Sequence, residues 1–281
     1  MRRYDTVAIV GVGLIGGSIG LALRERGLAK TVIGIGRRQS SLRAARRVGA
    51  VTNTTIDLAK GVADAELIVI ATPVARIVEH ALQSAQTCPE GALITDAGST
   101  KEAIVEQLDG RLPRNCRYLG SHPLAGSEKA GASHATADLF EGRVAILTPT
   151  VNTHAEDFDQ LEQFWSDLGS VVIQMGPADH DRAMAVTSHL PHAVASVLAS
   201  MLPESLFRLT GAGFHDTTRV ACGDAELWKQ IFAANRANLL ACLDQFSHRL
   251  HALRSSLEQN DAAAVEDILR LAKKNRDALG S

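Results

Sequence analysis

A histidine, an arginine and a few small hydroxyl side chains stand in this sequence where they could hold a small acid and take a proton from it. His122 lies in the block Gly120-Ser121-His122-Pro123-Leu124-Ala125-Gly126-Ser127-Glu128-Lys129, and Ser99 in Asp96-Ala97-Gly98-Ser99-Thr100-Lys101. His189 belongs to Thr187-Ser188-His189-Leu190-Pro191-His192, and Arg219 closes Asp216-Thr217-Thr218-Arg219. An imidazole accepts a proton near neutral pH, and a guanidinium grips a carboxylate through two parallel hydrogen bonds. These types suit a small dianionic substrate. Each also has a plain structural use. Asp96 and Ser99 fit the cap of a helix beginning at Thr100, Asp216 fits a partner for Arg219, and Trp228 fits a core. His189 and His192, three apart on one helical face, fit zinc ligands or polar helix positions, but no third ligand stands nearby and no metal is expected. His80, His134, His154, His180, His248 and His251 belong to no block and read as surface or satisfied core.

A second kind of chemistry is written in Val7-Ala8-Ile9-Val10-Gly11-Val12-Gly13-Leu14-Ile15-Gly16, a strand running into G-x-G-x-x-G and then a helix. In that context the glycines read as a dinucleotide cradle: Gly11 for the tight turn, Gly13 for close approach of a pyrophosphate, Gly16 for helix-on-strand packing. The helix start at Leu14 and Ile15 offers free N–H groups to phosphate. Thr72 and Pro73, just after a later strand, are assigned to the same ligand. After the second strand, where an acid for the ribose hydroxyls is usual, the chain reads Gly36-Arg37-Arg38. Two guanidiniums and no carboxylate favour a 2′-phosphate, so NADP is the preferred cofactor and NAD the other possibility. A solvated pair of arginines at a helix start is the competing explanation.

These groups need a scaffold, and the pattern supplies one. Short β-branched runs at Thr6–Gly11, Thr31–Ile35, Leu67–Ala71, Leu93–Asp96, Tyr118–Ser121, Val144–Leu147 and Val171–Gln174 alternate with amphipathic segments, which predicts a doubly wound α/β domain. After Gly176-Pro177 the rhythm becomes helical, over Ala183–Met201, Leu227–Leu257 and Ala262–Leu279. The expected division is a dinucleotide-binding domain over 1–176 and an all-helical substrate and dimerisation domain over 177–281. Long Ala- and Leu-rich helices bury little in a small lobe, which points to a homodimer. The net charge of −2 gives no footprint for nucleic acid, and no stretch reaches the roughly 20 apolar residues of a membrane span. The early run from Val7 is too rich in glycine for a signal peptide. Four scattered cysteines with no CxxC pair read as reduced thiols in a cytoplasm.

Taken together and in order, the four blocks resemble the successive motifs of the prephenate/arogenate dehydrogenase family, over nearly the whole chain. The resemblance implies oxidative decarboxylation of prephenate to 4-hydroxyphenylpyruvate, or of arogenate to tyrosine, with a nicotinamide dinucleotide. It makes His122 the catalytic base on the substrate's ring hydroxyl, assisted by Ser99. It places Ser127, His189 and Arg219 around the substrate, with Arg219 on a carboxylate and Glu128 at the entrance. The chain departs from the family pattern in lacking the acid after strand two and in carrying His215 where arginine is more usual. It has no length for a fused mutase or regulatory domain, so a single activity is expected. Another keto or imino acid reductase of this plan would use the glycine loop equally well, as would a dinucleotide sensor. A sensor, however, needs no base beside an anion grip.

Overall fold

Strands that stay apolar at consecutive positions require cover on both faces. The computed structural model describes residues 2–126 and 129–280, and in it six strands run parallel. They are β1 (Tyr4–Val10), β2 (Ala29–Ile35), β3 (Asn53–Thr55), β4 (Leu67–Ile70), β5 (Leu93–Asp96) and β6 (Arg117–Tyr118). Their order β3-β2-β1-β4-β5-β6 is that of the doubly wound dinucleotide fold. The crossovers carry α1 (Leu14–Glu25), α2 (Gln39–Arg47), α3 (Leu58–Val62) and α4 (Val74–Ala85), and α5 (Glu102–Leu108) follows β5. Alternate residues of β1 feed opposite cores, Val7 and Ile9 joining Ile19, Leu23 and Trp165, Ala8 and Val10 joining Ile68, Ile77 and Ile94.

The expected strand Tyr118–Ser121 is two strands in two sheets. β6 ends the first sheet at Tyr118, and β7 (Gly120–Pro123) opens a second, with β8 (Val144–Thr148) and β9 (Val171–Gln174), where β7 is antiparallel to β8 and β8 parallel to β9. The missing side chain of Gly120 permits this turn, because a Cβ there would press on Thr148, whose hydroxyl donates to the Gly120 carbonyl at 3.2 Å. Val144–Leu147 and Val171–Gln174 therefore belong to this small sheet, joined by α6 (Ala155–Asp167). The edge strand β3, polar at every position, has no apolar signature to read.

Beyond β9 the described chain is helical: α7 (Pro177–Met184), a π-helical stretch Ala185–His189, α8 (Leu190–Ser200), α9 (Ala212–Thr218) and α10 (Ala225–Ala234). Pro177 at the start of α7 loses nothing by lacking an N–H. The strands end at Gln174, ahead of the expected boundary between residues 176 and 177, whereas the compact unit continues to Asn235. There the expected helix Leu227–Leu257 is broken, Asn235 taking φ −111° and ψ 34°. Residues 236–281 form a second unit, α11 (Arg236–Glu258) packed on α12 (Ala262–Ala278), whose Leu240, Phe246, Leu250, Leu257 and Leu269 are exposed. No helix among the described residues is long and apolar enough to cross a membrane. The four cysteines are free thiols, Cys88 and Cys116 lying 3.4 Å apart.

Candidate active site

The strand order reverses between β1 and β4, and the glycine loop lies at that crevice. Gly11 has φ +100°, and a side chain on it would overlap the Ala71 carbonyl at the end of β4. Gly16 lies so close to the Gly11 carbonyl that no side chain fits, while Gly13 faces open space. A tight turn, an open approach and a helix start at Leu14 are what a pyrophosphate requires. Leu14 and Ile15 are half-buried in the first turn of α1. Thr72 lies against Gly11 and its hydroxyl is 3.1 Å from His80 Nδ1, and Pro73 precedes α4. His80, assigned no role from sequence, thus borders this crevice. Arg37 and Arg38 are exposed between β2 and α2.

His122 projects from β7, a strand fixed to β5 by the Thr95–Ser121 hydroxyl pair at 3.0 Å and by the Ser121 hydroxyl on the Asp96 carbonyl. Its Nδ1 is 2.8 Å from His180 Nε2, and His180 Nδ1 is 2.7 Å from Asp181 Oδ1. The chain of donors follows from the end that can only accept. An ionised Asp181 takes the Nδ1–H of His180, His180 Nε2 then takes the Nδ1–H of His122, and His122 Nε2 is left with a bare lone pair. Burial, with His180, Lys101 and His189 nearby, holds His122 well below the usual imidazole range, so the ring is neutral at neutral pH. Burial also lowers His180, with Asp181 opposing.

Asp181 has a second task. Its carboxylate accepts the backbone N–H of Lys101 at 2.7 Å and of Glu102 at 3.0 Å, capping α5 from a residue far away in sequence. The capping of a helix from Thr100 by Asp96 and Ser99 is therefore corrected: α5 starts at Glu102, and neither side chain caps it. Asp96 instead accepts from Gly98 N–H at 2.8 Å, from Tyr118 Oη at 2.7 Å and from Lys101 Nζ, in an ion pair fully shut from solvent. With the Ser121 N–H at 3.4 Å as a fourth, these donors make that buried carboxylate tolerable. Ser99 is half-buried in the bend before α5 and makes no hydrogen bond among the described residues.

The π-helical stretch ends on His189, whose Nδ1 is 3.1 Å from Asn235 Nδ2. Burial pushes His189 down to about 4. His192 stacks on Trp228 at 3.5 Å and 11°, and Trp228 also meets His189 edge-on. Trp228 is thus both packed on the core and a wall beside two histidines. Arg219 is exposed at the start of the turn Arg219–Cys222 and makes no ion pair among the described residues, so the expected pairing with Asp216 is not formed. That turn packs on α8. His215 is 3.2 Å from the Thr210 hydroxyl.

Residues 19–174 match the family described as prephenate dehydrogenase, nucleotide-binding domain, and residues 176–271 match prephenate dehydrogenase, dimerization domain. The chain belongs to the prephenate/arogenate dehydrogenase family. It is 34% identical to the prephenate dehydrogenase of Bacillus subtilis, over 99% of this chain and 77% of that one. It is 31% identical to the cyclohexadienyl dehydrogenase of Zymomonas mobilis, over 99% and 97%. The crystal structure of Aquifex aeolicus prephenate dehydrogenase with hydroxyphenyl propionate and NAD+ superimposes with a TM-score of 0.90 at 32% identity, covering 98% of each chain.

Within this family member the fold brings His122, His180, Asp181, Lys101, His189 and Asn235 into one cluster. Ser127 and Glu128, expected at the substrate, lie outside the described residues. His180, read as surface or satisfied core, is fully buried and satisfied, and the partners that satisfy it are His122 and Asp181. Asp181, Lys101, Tyr118 and Asn235 were not singled out either. The adjacent His180-Asp181 pair at the opening of the helical region is the one signal that could have pointed there.

Proposed function

We propose that this chain catalyses the oxidative decarboxylation of prephenate to 4-hydroxyphenylpyruvate, or of arogenate to tyrosine. The observation that carries the reading is the His122–His180–Asp181 chain, which leaves one bare imidazole nitrogen on β7, a strand hydrogen-bonded to β5 of the dinucleotide fold. The glycine loop fits a nicotinamide dinucleotide, which when bound supplies the hydride acceptor for the hydroxyl-bearing ring carbon. His122 Nε2 accepts the hydroxyl proton as that carbon is oxidised. The ring carboxylate departs as carbon dioxide, the ring becomes aromatic, and the proton returns to the phenolate oxygen. Ser99 steers the hydroxyl toward His122. Arg219 takes a carboxylate bidentately, and Ser127, His189 and Glu128 complete the surround. His180 and Asp181 are added here as the groups that keep His122 in its accepting form.

Three finer assignments go with this reading. NADP is preferred over NAD because Arg37 and Arg38 are exposed where β2 ends, with no carboxylate in that turn. The protein is a homodimer formed through the region after Pro177, supported by the dimerization-domain match and by the exposed leucines of α11 and α12. Its compartment is the cytoplasm, supported by four free thiols. The deciding experiment follows reduced nicotinamide formation from prephenate and from arogenate, each with NAD and NADP. Turnover of at least one substrate with release of carbon dioxide is expected, and no turnover of either would overturn the assignment.

A further inference from the structure

Asn235 is buried, sits where α10 ends, and has a side-chain amide whose orientation is decided by an unambiguous partner. Its Nδ2 lies 2.7 Å from the Asp181 carbonyl oxygen. A carbonyl only accepts, so the atom facing it must be the NH2 group and not the amide oxygen. The same NH2 group carries a second hydrogen and lies 3.1 Å from His189 Nδ1. An NH2 group has nothing to accept with, so His189 Nδ1 must be the acceptor and the ring's single proton must sit on Nε2.

We propose that Asn235 is a positioning residue that holds His189 as its Nε2–H tautomer, so that His189 offers an incoming ligand a hydrogen-bond donor. This is the opposite sense to His122, whose Nε2 is bare. One buried segment sets both: the Asp181 carboxylate orders the His180–His122 pair, while the Asp181 carbonyl fixes the amide that orders His189. A substrate with a hydroxyl proton to lose and a carboxylate to be held would meet one acceptor and one donor. Burial keeps the donor an uncharged ring at neutral pH. The assignment of the ligand as that substrate rests on the proposed function, whereas the tautomer itself does not.

The test begins with the unmodified enzyme, labelled with 15N in its histidines and observed by long-range 1H–15N correlation at neutral pH, the His189 signals identified by their loss in His189→Gln. A protonated Nε2 with an unprotonated Nδ1 is expected, and a protonated Nδ1 would overturn the proposal. Asn235→Asp, which presents an acceptor where the NH2 stood, should move a proton onto Nδ1, and an unchanged pattern in a folded variant would equally overturn it. Kinetics then separate this from the functional reading. The amide nitrogen of glutamine reaches the place of Nε2, and that of asparagine the place of Nδ1. KM for the substrate should therefore rise only a few-fold in His189→Gln but at least about ten-fold in His189→Asn, with kcat little changed in either, as for loss of a hydrogen bond to a charged group. The expected tautomer with KM unaltered in both variants would uphold the Asn235 assignment and refute His189 as a substrate residue.

Discussion

Replacing Asp181 by asparagine tests whether the base at His122 is set from two residues away. Asp181 accepts three hydrogen bonds, two from the start of α5 and one from His180. An asparagine can keep an oxygen toward Lys101 N–H and His180, but its NH2 then opposes the Glu102 N–H. One charge-assisted hydrogen bond is lost, at about 1.5–3 kcal/mol, together with a negative charge at a helix start worth about 0.5 kcal/mol. A unit of this size should lose roughly 5–10 °C in Tm. Catalysis should suffer separately. A neutral amide holds the Nδ1–H of His180 less firmly than a carboxylate, and the other tautomer of His180 would turn His122 Nε2 into a donor. If the lost preference is about 1.5–3 kcal/mol, kcat falls roughly 10- to 100-fold, short of the roughly 10²- to 10⁴-fold value of a general base. KM should change little, since Asp181 itself holds no substrate. Steady-state kinetics with a thermal melt on the same preparation measure both effects. A lowered Tm with full kcat would reduce Asp181 to a helix cap and remove the relay from the mechanism.

His122→Asn should bind substrate nearly normally and lose about 10²- to 10⁴-fold in kcat, whereas Arg219→Ala should chiefly raise KM. Because desolvation depresses His122, the acid limb of kcat/KM in the unmodified enzyme should lie below pH 6.5 and vanish in His122→Asn; a limb at or above 6.5 would contradict the neutral ring. His189 stays neutral when folded down to about 4 but takes a proton near 6.5 when unfolded, so its contribution is complete above 6.5 and is lost as pH falls toward 4. That loss amounts to about 3 kcal/mol, and chemical denaturation at pH 7 and pH 5 should detect most of it, a flat profile counting against the burial. Arg37→Ala should lower the ratio of kcat/KM with NADP to that with NAD, and an unchanged ratio would make Arg37 a solvated surface group. Mass measurement at micromolar concentration should give a dimer, and a monomer would remove the proposed role of the exposed α11 and α12 leucines.

The nucleotide-binding architecture could be read in the sequence because its signals are local. A strand followed by G-x-G-x-x-G constrains the backbone within ten residues, and Gly11 and Gly16 prove to be sterically compelled. The four motif blocks likewise marked His122 and His189, each lying within its own short stretch. What escaped was everything decided by long-range approach. His180 meets His122 across 58 positions, Asp181 caps α5 across 80, and Asn235 reaches His189 across 46. No periodicity encodes such pairings. The split at Leu119 was hidden for a related reason: Tyr118-Leu119-Gly120-Ser121 shows no break in the sequence, and only the closure of Thr148 on Gly120 makes it a corner. The break at Asn235 was masked by Ala- and Leu-rich sequence on both sides, where helix propensity is uniformly high.

The site collects histidines yet keeps them uncharged, and the proposed reaction gives that a reason. Burial lowers His122, His180, His189 and His192 alike, and Lys101 is already committed to Asp96. A weak base is sufficient here, because a hydroxyl on a carbon that is losing hydride becomes strongly acidic as the reaction proceeds. A cation fixed against the departing carboxylate would do harm, since it would stabilise a charge that disappears when neutral carbon dioxide leaves, lowering the ground state more than the transition state. The carboxylate that remains on the side chain has no such conflict with a fixed cation. In the proposed reaction, a neutral N–H donor at His189 and a bare nitrogen at His122 thus orient the reacting end of the substrate without anchoring the charge it must shed.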